Sequence, residues 1–152
     1  MQRPQFRLIA ILGTVALLLA GAIGCSSGQP AQSAKAGPEP NFSTDSPYVS
    51  IEELKQELDR GANMIILDAR PKQDYDMDHI AGAISMPFFE VEQRYEELPG
   101  DTWIVTYCAC PRAEAQEAAN VLQQKGFKKV RVFYEGYFEW LARDYPIDKG
   151  EG

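Results

Sequence analysis

Two cysteines, Cys108 and Cys110, stand in a segment whose surroundings favour thiol chemistry. The apolar run 103–107 predicts a buried strand that ends just before Cys108, and an alanine-rich helical pattern begins near Ala113. At such a junction the first amide groups of the helix lack helical partners, and the helix dipole adds partial positive charge. Both effects stabilise a thiolate, so we expect Cys108 to ionise easily and to act as a nucleophile. The alternative is a small buried residue that only packs at the end of a strand.

The surrounding pattern predicts an α/β domain over residues 48–148. Ser50 and Glu53 form a capping-box pattern, which indicates the start of a helix that ends near Gly61. Strands that alternate with helices predict a mainly parallel sheet, and ligands bind such sheets at the carboxyl ends of the strands, where Cys108 stands. The pattern predicts strands over 64–67, 83–86, 103–107 and 130–134, helices over 50–61, 88–98, 113–125 and 136–144, and a turn-rich stretch over 74–82.

The N-terminal segment has the architecture of an export signal. Arg3 and Arg7 precede an uncharged apolar stretch from residue 8 to residue 24. The stretch ends in Ala22-Ile-Gly-Cys25, which resembles the lipobox of bacterial lipoproteins, in which the cysteine is lipidated. We therefore expect a signal peptide over 1–24, lipidation of Cys25, a flexible linker over 25–47 that is rich in small and polar residues, and a tail over 149–152. An uncleaved anchor helix is the alternative. Both interpretations place the domain outside the cytoplasm, on the periplasmic or outer cell-surface side of the membrane.

The charge of the chain excludes some classes of partner. The full sequence carries fifteen basic and twenty-two acidic residues, a net charge of −7. Without residues 1–24, which include Arg3 and Arg7 and no acid, thirteen basic residues remain against twenty-two acidic ones, a charge of −9. An acidic surface argues against nucleic acid as a partner and against electrostatic binding to anionic lipid. We expect the lipid alone to hold the protein, as a monomer, at the membrane.

Several short segments together form a family pattern: Leu67-Asp-Ala-Arg70, Tyr75, His79-Ile-Ala-Gly-Ala-Ile84 with Pro87, Tyr107-Cys108, Gly126-Phe127 and Glu135-Gly-Tyr-Phe-Glu-Trp140. Through these segments, residues 48 to about 148 resemble the rhodanese-like domain. The resemblance implies a central parallel sheet with helices on both faces, and a persulfide carried by Cys108. It also implies an activity, the transfer of a sulfane sulfur from a donor such as thiosulfate to an acceptor thiol or cyanide, and no cofactor.

The loop after Cys108 departs from the commonest pattern of the family. The fourth loop position is Pro111 where the family usually has Gly, and the sixth is Ala113 where Arg is frequent. The loss of a cation there, together with the carboxylate of Glu114, weakens attraction for a dianion, so thiosulfate is in doubt as the natural donor. Phosphatases that share this fold need Arg where Glu114 stands, so we exclude phosphatase chemistry.

The loop residues are the candidate substrate-binding groups. Ala109, Cys110, Arg112 and Ala113 offer backbone N–H groups for a persulfide anion, and Arg112 adds positive charge if its side chain turns inward. Pro111 offers no N–H but fixes the shape of the loop. The Cys110 thiol has three interpretations: a resolving thiol, a redox partner, or a small loop residue.

The remaining candidates have structural roles. His79, the one histidine, corresponds to a structural turn in the family, so we expect a hydrogen-bonded structural side chain. Asp68 and Arg70 are expected to form a local ion pair or loop brace. Cys108, Cys110 and His79 lack a recognised metal-ligand spacing, so we expect no metal.

These residues predict a sulfurtransferase that works through a Cys108 persulfide. The expected partners are a small sulfur donor and a protein or low-molecular-weight thiol acceptor. Two alternatives stay open: a non-catalytic binding or regulatory module, and a thiol–disulfide redox protein that uses Cys108 and Cys110.

Overall fold

A computed structural model describes residues 37–109 and 112–150. The predicted signal peptide, Cys25, Cys110 and Pro111 lie outside the described residues. The strands are β1 (Tyr48–Val49), β2 (Met64–Asp68), β3 (His79–Ile80), β4 (Ile84–Ser85), β5 (Trp103–Tyr107), β6 (Val130–Phe133) and β7 (Ile147–Asp148). The helices are α1 (Ile51–Asp59), α2 (Lys72–Met77), α3 (Val91–Arg94), α4 (Ala113–Gln124) and α5 (Tyr137–Ala142).

The main sheet has five parallel strands in the order β1-β6-β5-β2-β4. Its central strands β2 and β5 pair along their whole length, from Met64 opposite Trp103 to Asp68 opposite Tyr107. Both are nearly continuous apolar runs, as expected for parallel strands that are covered on both faces. The prediction of a mainly parallel sheet in an α/β domain is confirmed.

Helices cover both faces of this sheet. On one face, Ala115 and Leu122 of α4 pack in a buried cluster with Ile104 of β5 and Val91 of α3. On the other face, buried side chains of α1 and α5, such as Leu54 and Trp140, pack in a second buried cluster. The alternation of side chains along β5 supplies both clusters, because successive residues of a strand point to opposite faces.

The first helix begins as its sequence predicts. The Ser50 side chain accepts a hydrogen bond from the backbone N–H of Glu53, and the Glu53 carboxylate accepts one from the backbone N–H of Ser50. This capping box satisfies two backbone donors that would otherwise lack partners.

Two predicted elements differ in the structure. The single helix predicted over 88–98 is divided into a 3₁₀ turn (Phe88–Glu90), α3, and a second 3₁₀ turn (Tyr95–Glu97). The segment has no side-chain cap, and its start is held by the sheet, because the Phe88 N–H donates to the Ala69 carbonyl at 3.0 Å. The turn-rich stretch over 74–82 instead contains most of α2 and all of β3.

A small antiparallel ribbon of β3 and β7 was not predicted. His79 pairs with Asp148 and Ile80 pairs with Ile147. Two-residue strands are too short to show an alternating pattern, so sequence periodicity does not reveal them.

The last residues of the predicted linker contact the domain. Phe42 is 7% exposed and its ring meets that of Trp103 edge-on, with centroids 5.5 Å apart. The Pro38 carbonyl accepts a hydrogen bond from the Asn63 N–H at 2.8 Å. Contacts with the domain therefore begin before Tyr48. Within residues 37–109 and 112–150, no helix has the length and apolar character needed to cross a membrane.

Candidate active site

Cys108 lies directly after β5, at the carboxyl edge of the sheet. Its side chain is buried, with 1% exposure, and it belongs to the cluster that includes Ala115 of α4. The strand is central and apolar, and α4 starts five residues later, so Cys108 stands at a strand–helix junction. This placement is the one that parallel sheets use for ligand sites.

The first turn of α4 acts on the ionisation of the Cys108 thiol. The backbone N–H groups of Ala115 and Glu114 favour the thiolate of Cys108. Burial acts against them and is the largest effect, and the carboxylates of Glu114 and Asp68 add repulsion. The pKa of the Cys108 thiol is therefore raised. The expectation that this thiol ionises more easily than a free cysteine is wrong for this structure, because desolvation outweighs the helix amides.

The Glu114 and Ala115 amides were not among the predicted loop amides, which remain a prediction. Ala109 is half-buried, and its carbonyl accepts a hydrogen bond from the Phe138 N–H at 3.5 Å. Ala113 is exposed at the first position of α4, while Cys110 and Pro111 lie outside the described residues. Among the described residues, the backbone amides that lower the pKa of the Cys108 thiol are those of Glu114 and Ala115, directly after Ala113.

The Arg112 guanidinium stacks on an aromatic pair. It lies 4.2 Å from the ring centroid of Tyr134 and 5.2 Å from that of Tyr48. The two rings meet edge-on with centroids 5.5 Å apart. Arg112 therefore binds to the end of β6 and to β1 in this structure, in contacts of the cation–π type.

The start of α5 fixes the loop from behind. The Tyr137 N–H donates to the Cys108 carbonyl at 2.9 Å. Gly136 precedes it with φ of 81°, and a Cβ at this position would stand 2.7 Å from the Ala109 carbonyl oxygen. Only glycine allows this backbone conformation and this approach without strain. Sequence reasoning included Gly136 in the family pattern but missed this contact, although glycine between a strand and a helix is a signal for close backbone approach.

A buried ion pair stands beside the loop. The Arg70 side chain donates to Asp68, with Nη2 2.6 Å from Oδ2, and both side chains are almost fully buried. The Tyr107 hydroxyl also donates to Oδ2 of Asp68 at 2.6 Å, and the Arg70 guanidinium lies 4.0 Å from the ring centroid of Tyr137. This network joins the residue before Cys108 to the residue whose N–H binds the Cys108 carbonyl. It braces the loop and leaves Asp68 no role as a free base.

His79 is held within its own segment. Its Nδ1 lies 2.9 Å from the Tyr75 carbonyl, its ring stacks on that of Tyr75 with centroids 3.8 Å apart, and it is buried. Among the residues that the structure describes, no three His, Cys, Asp or Glu side chains are grouped to hold a metal ion.

Thr106 is a second residue that sequence reasoning did not single out. It is fully buried in β5, and its hydroxyl donates to the Ala115 carbonyl at 2.9 Å. A buried threonine in an apolar strand gives no signal in the sequence, because its partner is fixed only by the fold.

Known proteins share this fold and sequence pattern. The Allochromatium vinosum protein named "Sulfurtransferase" is 27% identical over 104 residues, which cover 68% of this chain and 96% of that protein. The Bacillus subtilis "Putative sulfur carrier protein YrkF" is 34% identical over 97 residues, 64% of this chain and 52% of the relative, so the chain spans about half the length of that relative. The solution structure of the rhodanese-like domain of the Anabaena Alr3790 protein aligns with a TM-score of 0.62 at 30% identity, over 68% of this chain and 80% of that one. Residues 50–143 match the rhodanese-like domain family, and the chain belongs to it.

Proposed function

We propose that this protein is a sulfurtransferase that carries a sulfane sulfur as a persulfide on Cys108. The observation that supports this most directly is the buried Cys108 sulfur at the carboxyl edge of the sheet, with the Glu114 and Ala115 amides directed at it. Two N–H donors in a water-poor site can hold a terminal sulfur anion. The relatives that are named sulfurtransferases agree with this chemistry.

The reaction has two steps that share one nucleophile. The Cys108 thiolate attacks the outer sulfur of the donor, a new S–S bond forms on Cys108, and the donor's own bond to that sulfur breaks. The electron pair of the broken bond leaves with the rest of the donor, which is sulfite when the donor is thiosulfate. An acceptor thiolate then attacks the outer sulfur of the persulfide, and Cys108 regains its thiolate.

The charges near Cys108 favour a donor with little negative charge. The carboxylates of Glu114 and Asp68 face the sulfur, and the Arg112 guanidinium is stacked on Tyr48 and Tyr134. A dianion such as thiosulfate would approach against this repulsion. We therefore propose a persulfide as the better donor and a protein or small thiol as the acceptor.

Intact-mass measurement of the full chain after incubation with each donor tests the proposal. We expect the parent protein to gain about 32 Da, one sulfur atom, in the first half-reaction. Cys108→Ser should gain nothing. The matched variant Cys110→Ser, which removes a thiol two residues away, should still gain the adduct. If Cys108→Ser keeps the adduct, or if the parent never forms one, the sulfurtransferase assignment is wrong.

One observation favours the alternative of a non-catalytic binding module. The raised pKa of the buried Cys108 thiol leaves less thiolate at neutral pH than a free cysteine would have. A parent protein that never forms the adduct would point to this alternative. A bridge between Cys108 and Cys110 in freshly isolated protein would instead favour the redox alternative.

The location of the protein is part of the same proposal. We propose that lipid on Cys25 holds a monomeric domain at the outer side of the membrane, with no nucleic acid as a partner. The export pattern of residues 1–24 and the acidic charge of the chain support this. Labelling with a fatty-acid analogue that persists in a Cys25→Ala variant would contradict the lipid anchor.

A further inference from the structure

Thr106 and Cys108 contact the same residue of α4. The two side chains lie two positions apart along the chain at β5, so they point to the same face of the sheet, which α4 covers. The Thr106 hydroxyl donates to the Ala115 carbonyl at 2.9 Å. The backbone amide of the same residue favours the thiolate of Cys108, which packs in one buried cluster with Ala115. One residue of the helix is thus held through its carbonyl and directs its amide at the thiol.

Within the described part of the chain, few polar contacts join the first turn of α4 to β5. Arg112 occupies the cap position but makes no capping hydrogen bond with its side chain. Ala113 is exposed, and Ala115 has only a methyl group with which to pack. The hydroxyl of Thr106 is therefore a main polar contact between this turn and the strand that ends at Cys108.

A hydroxyl at this position needs a reason beyond core packing. Thr106 is fully buried, its near neighbours on this face are apolar, and valine has almost the same shape. A buried hydroxyl costs free energy unless it forms a hydrogen bond, and its bond has a direction that an apolar contact lacks. The second acceptor within reach, the Arg131 carbonyl of β6, is more distant at 3.4 Å.

We propose that Thr106 is a positioning residue that holds the first turn of α4 so that the Glu114 and Ala115 amides stay directed at the Cys108 sulfur. This inference rests on the proposed function for its purpose, but the geometry concerns the thiol alone. Charged groups that act on this sulfur are Glu114 on α4 and Asp68 on β2, and neither is changed by substitution of Thr106. A change in Cys108 ionisation would therefore report on the amides.

The test is the pH dependence of Cys108 alkylation by iodoacetamide. The full-length protein carries Cys110→Ser, so that the peptide containing Cys108 has one reactive thiol, and mass spectrometry follows that peptide. We expect Thr106→Val to shift the midpoint of the alkylation profile to higher pH and to slow alkylation roughly three- to tenfold near pH 8, the loss of one modest hydrogen bond. Thr106→Ser keeps the hydroxyl and should stay close to the parent.

A core variant separates positioning from general damage. Ile104→Val removes one buried methylene from the same face of β5, so it should lower stability while leaving the alkylation midpoint unchanged. If Thr106→Val does not fold, Thr106→Ala replaces it in the same comparison. The inference is overturned if the folded Thr106→Val or Thr106→Ala variant has the alkylation profile of the parent. It is also overturned if Thr106→Ser is alkylated as slowly as either of them.

Sulfur loading is measured separately on the same proteins. If the parent forms no sulfur adduct but the alkylation midpoint moves as expected, the proposed function fails and the positioning role stands. If the adduct forms and the midpoint does not move, the proposed function stands and the positioning role is overturned.

Discussion

The ionisation of Cys108 is a balance of opposing contacts within a few residues. Burial removes water from the thiolate, and the carboxylates of Glu114 and Asp68 repel it. The Glu114 and Ala115 amides oppose these effects and do not overcome them. Glu114 therefore acts in both directions, because its backbone stabilises the anion that its side chain repels.

Removal of the Glu114 charge should make Cys108 more reactive. Glu114→Gln keeps the backbone amide and removes the repulsion, so the pKa of the thiol should fall. Below that pKa the alkylation rate follows the thiolate fraction, so we expect about a threefold increase near pH 8, consistent with one half-exposed charge. The measurement is the pH profile of Cys108 alkylation. Glu117→Gln changes an exposed acid of the same helix and should have little effect. If the alkylation midpoint of Glu114→Gln lies at the same pH as that of the parent, or at a higher pH, this account is contradicted.

The position of Cys108 at a strand–helix junction could be predicted from the sequence, but the ionisation of its thiol could not. The run that ends at Tyr107 and the alanine-rich pattern from Ala113 locate Cys108 at a strand–helix junction. Burial is a property of the whole fold, so the direction of the pKa shift requires the structure. The direction of the Arg112 side chain depends on Tyr48 and Tyr134, which come from distant parts of the chain.

At the scale of elements, the sequence predicts the helices and strands whose signals lie within a few neighbouring residues. The capping box of α1 and the apolar runs of β2 and β5 are each contained in a few neighbouring residues. The segment 88–98 has helical periodicity, but the Phe88 N–H is hydrogen-bonded to Ala69, the residue after β2, and the segment divides into a short helix between two 3₁₀ turns. The β3–β7 ribbon joins residues almost seventy positions apart and has no local signal.

Gly136 connects α5 to the reactive loop, and its substitution should disturb both. An alanine Cβ would stand 2.7 Å from the Ala109 oxygen, and alanine disfavours φ of 81°. We expect Gly136→Ala to lower the free energy of unfolding by about 2–4 kcal/mol, from backbone strain plus overpacking. Sulfur loading of the folded fraction should also fall, because the Ala109 and Cys108 carbonyls must move. Urea denaturation and the mass assay measure the two effects.

Gly82 offers a control with a similar positive φ and no close contact. Its φ is 78°, and a Cβ there would meet no atom within 4 Å. Gly82→Ala should therefore cost about 1 kcal/mol and leave sulfur loading unchanged. If Gly136→Ala and Gly82→Ala lose equal stability and equal sulfur loading, the close approach of Gly136 to the Ala109 carbonyl has no effect beyond that of a positive φ.

At the scale of the whole molecule, the carboxyl and amino edges of the sheet have different roles. The carboxyl edge carries Cys108, the start of α4 and the start of α5. The segment that leads into the domain is fixed at the opposite edge, where Phe42 packs on Trp103, the first residue of β5. Trp103 and Cys108 are five residues apart along an extended strand, which is roughly 16 Å. Stability contributed by residues 37–42 should therefore be independent of the reaction.

Phe42→Ala tests this separation in the full chain. The ring is 7% exposed, so its removal should leave a cavity beside Trp103 and lower the free energy of unfolding by about 2–4 kcal/mol. Sulfur loading of the folded protein should equal that of the parent, because the ring of Phe42 packs on Trp103 at the opposite end of β5 from Cys108. Phe89→Ala removes an identical ring that is 55% exposed and should cost less than about 1 kcal/mol in urea denaturation. If the two variants lose equal stability, the segment before Tyr48 does not stabilise the fold. If folded Phe42→Ala loses sulfur loading, the two edges of the sheet are coupled.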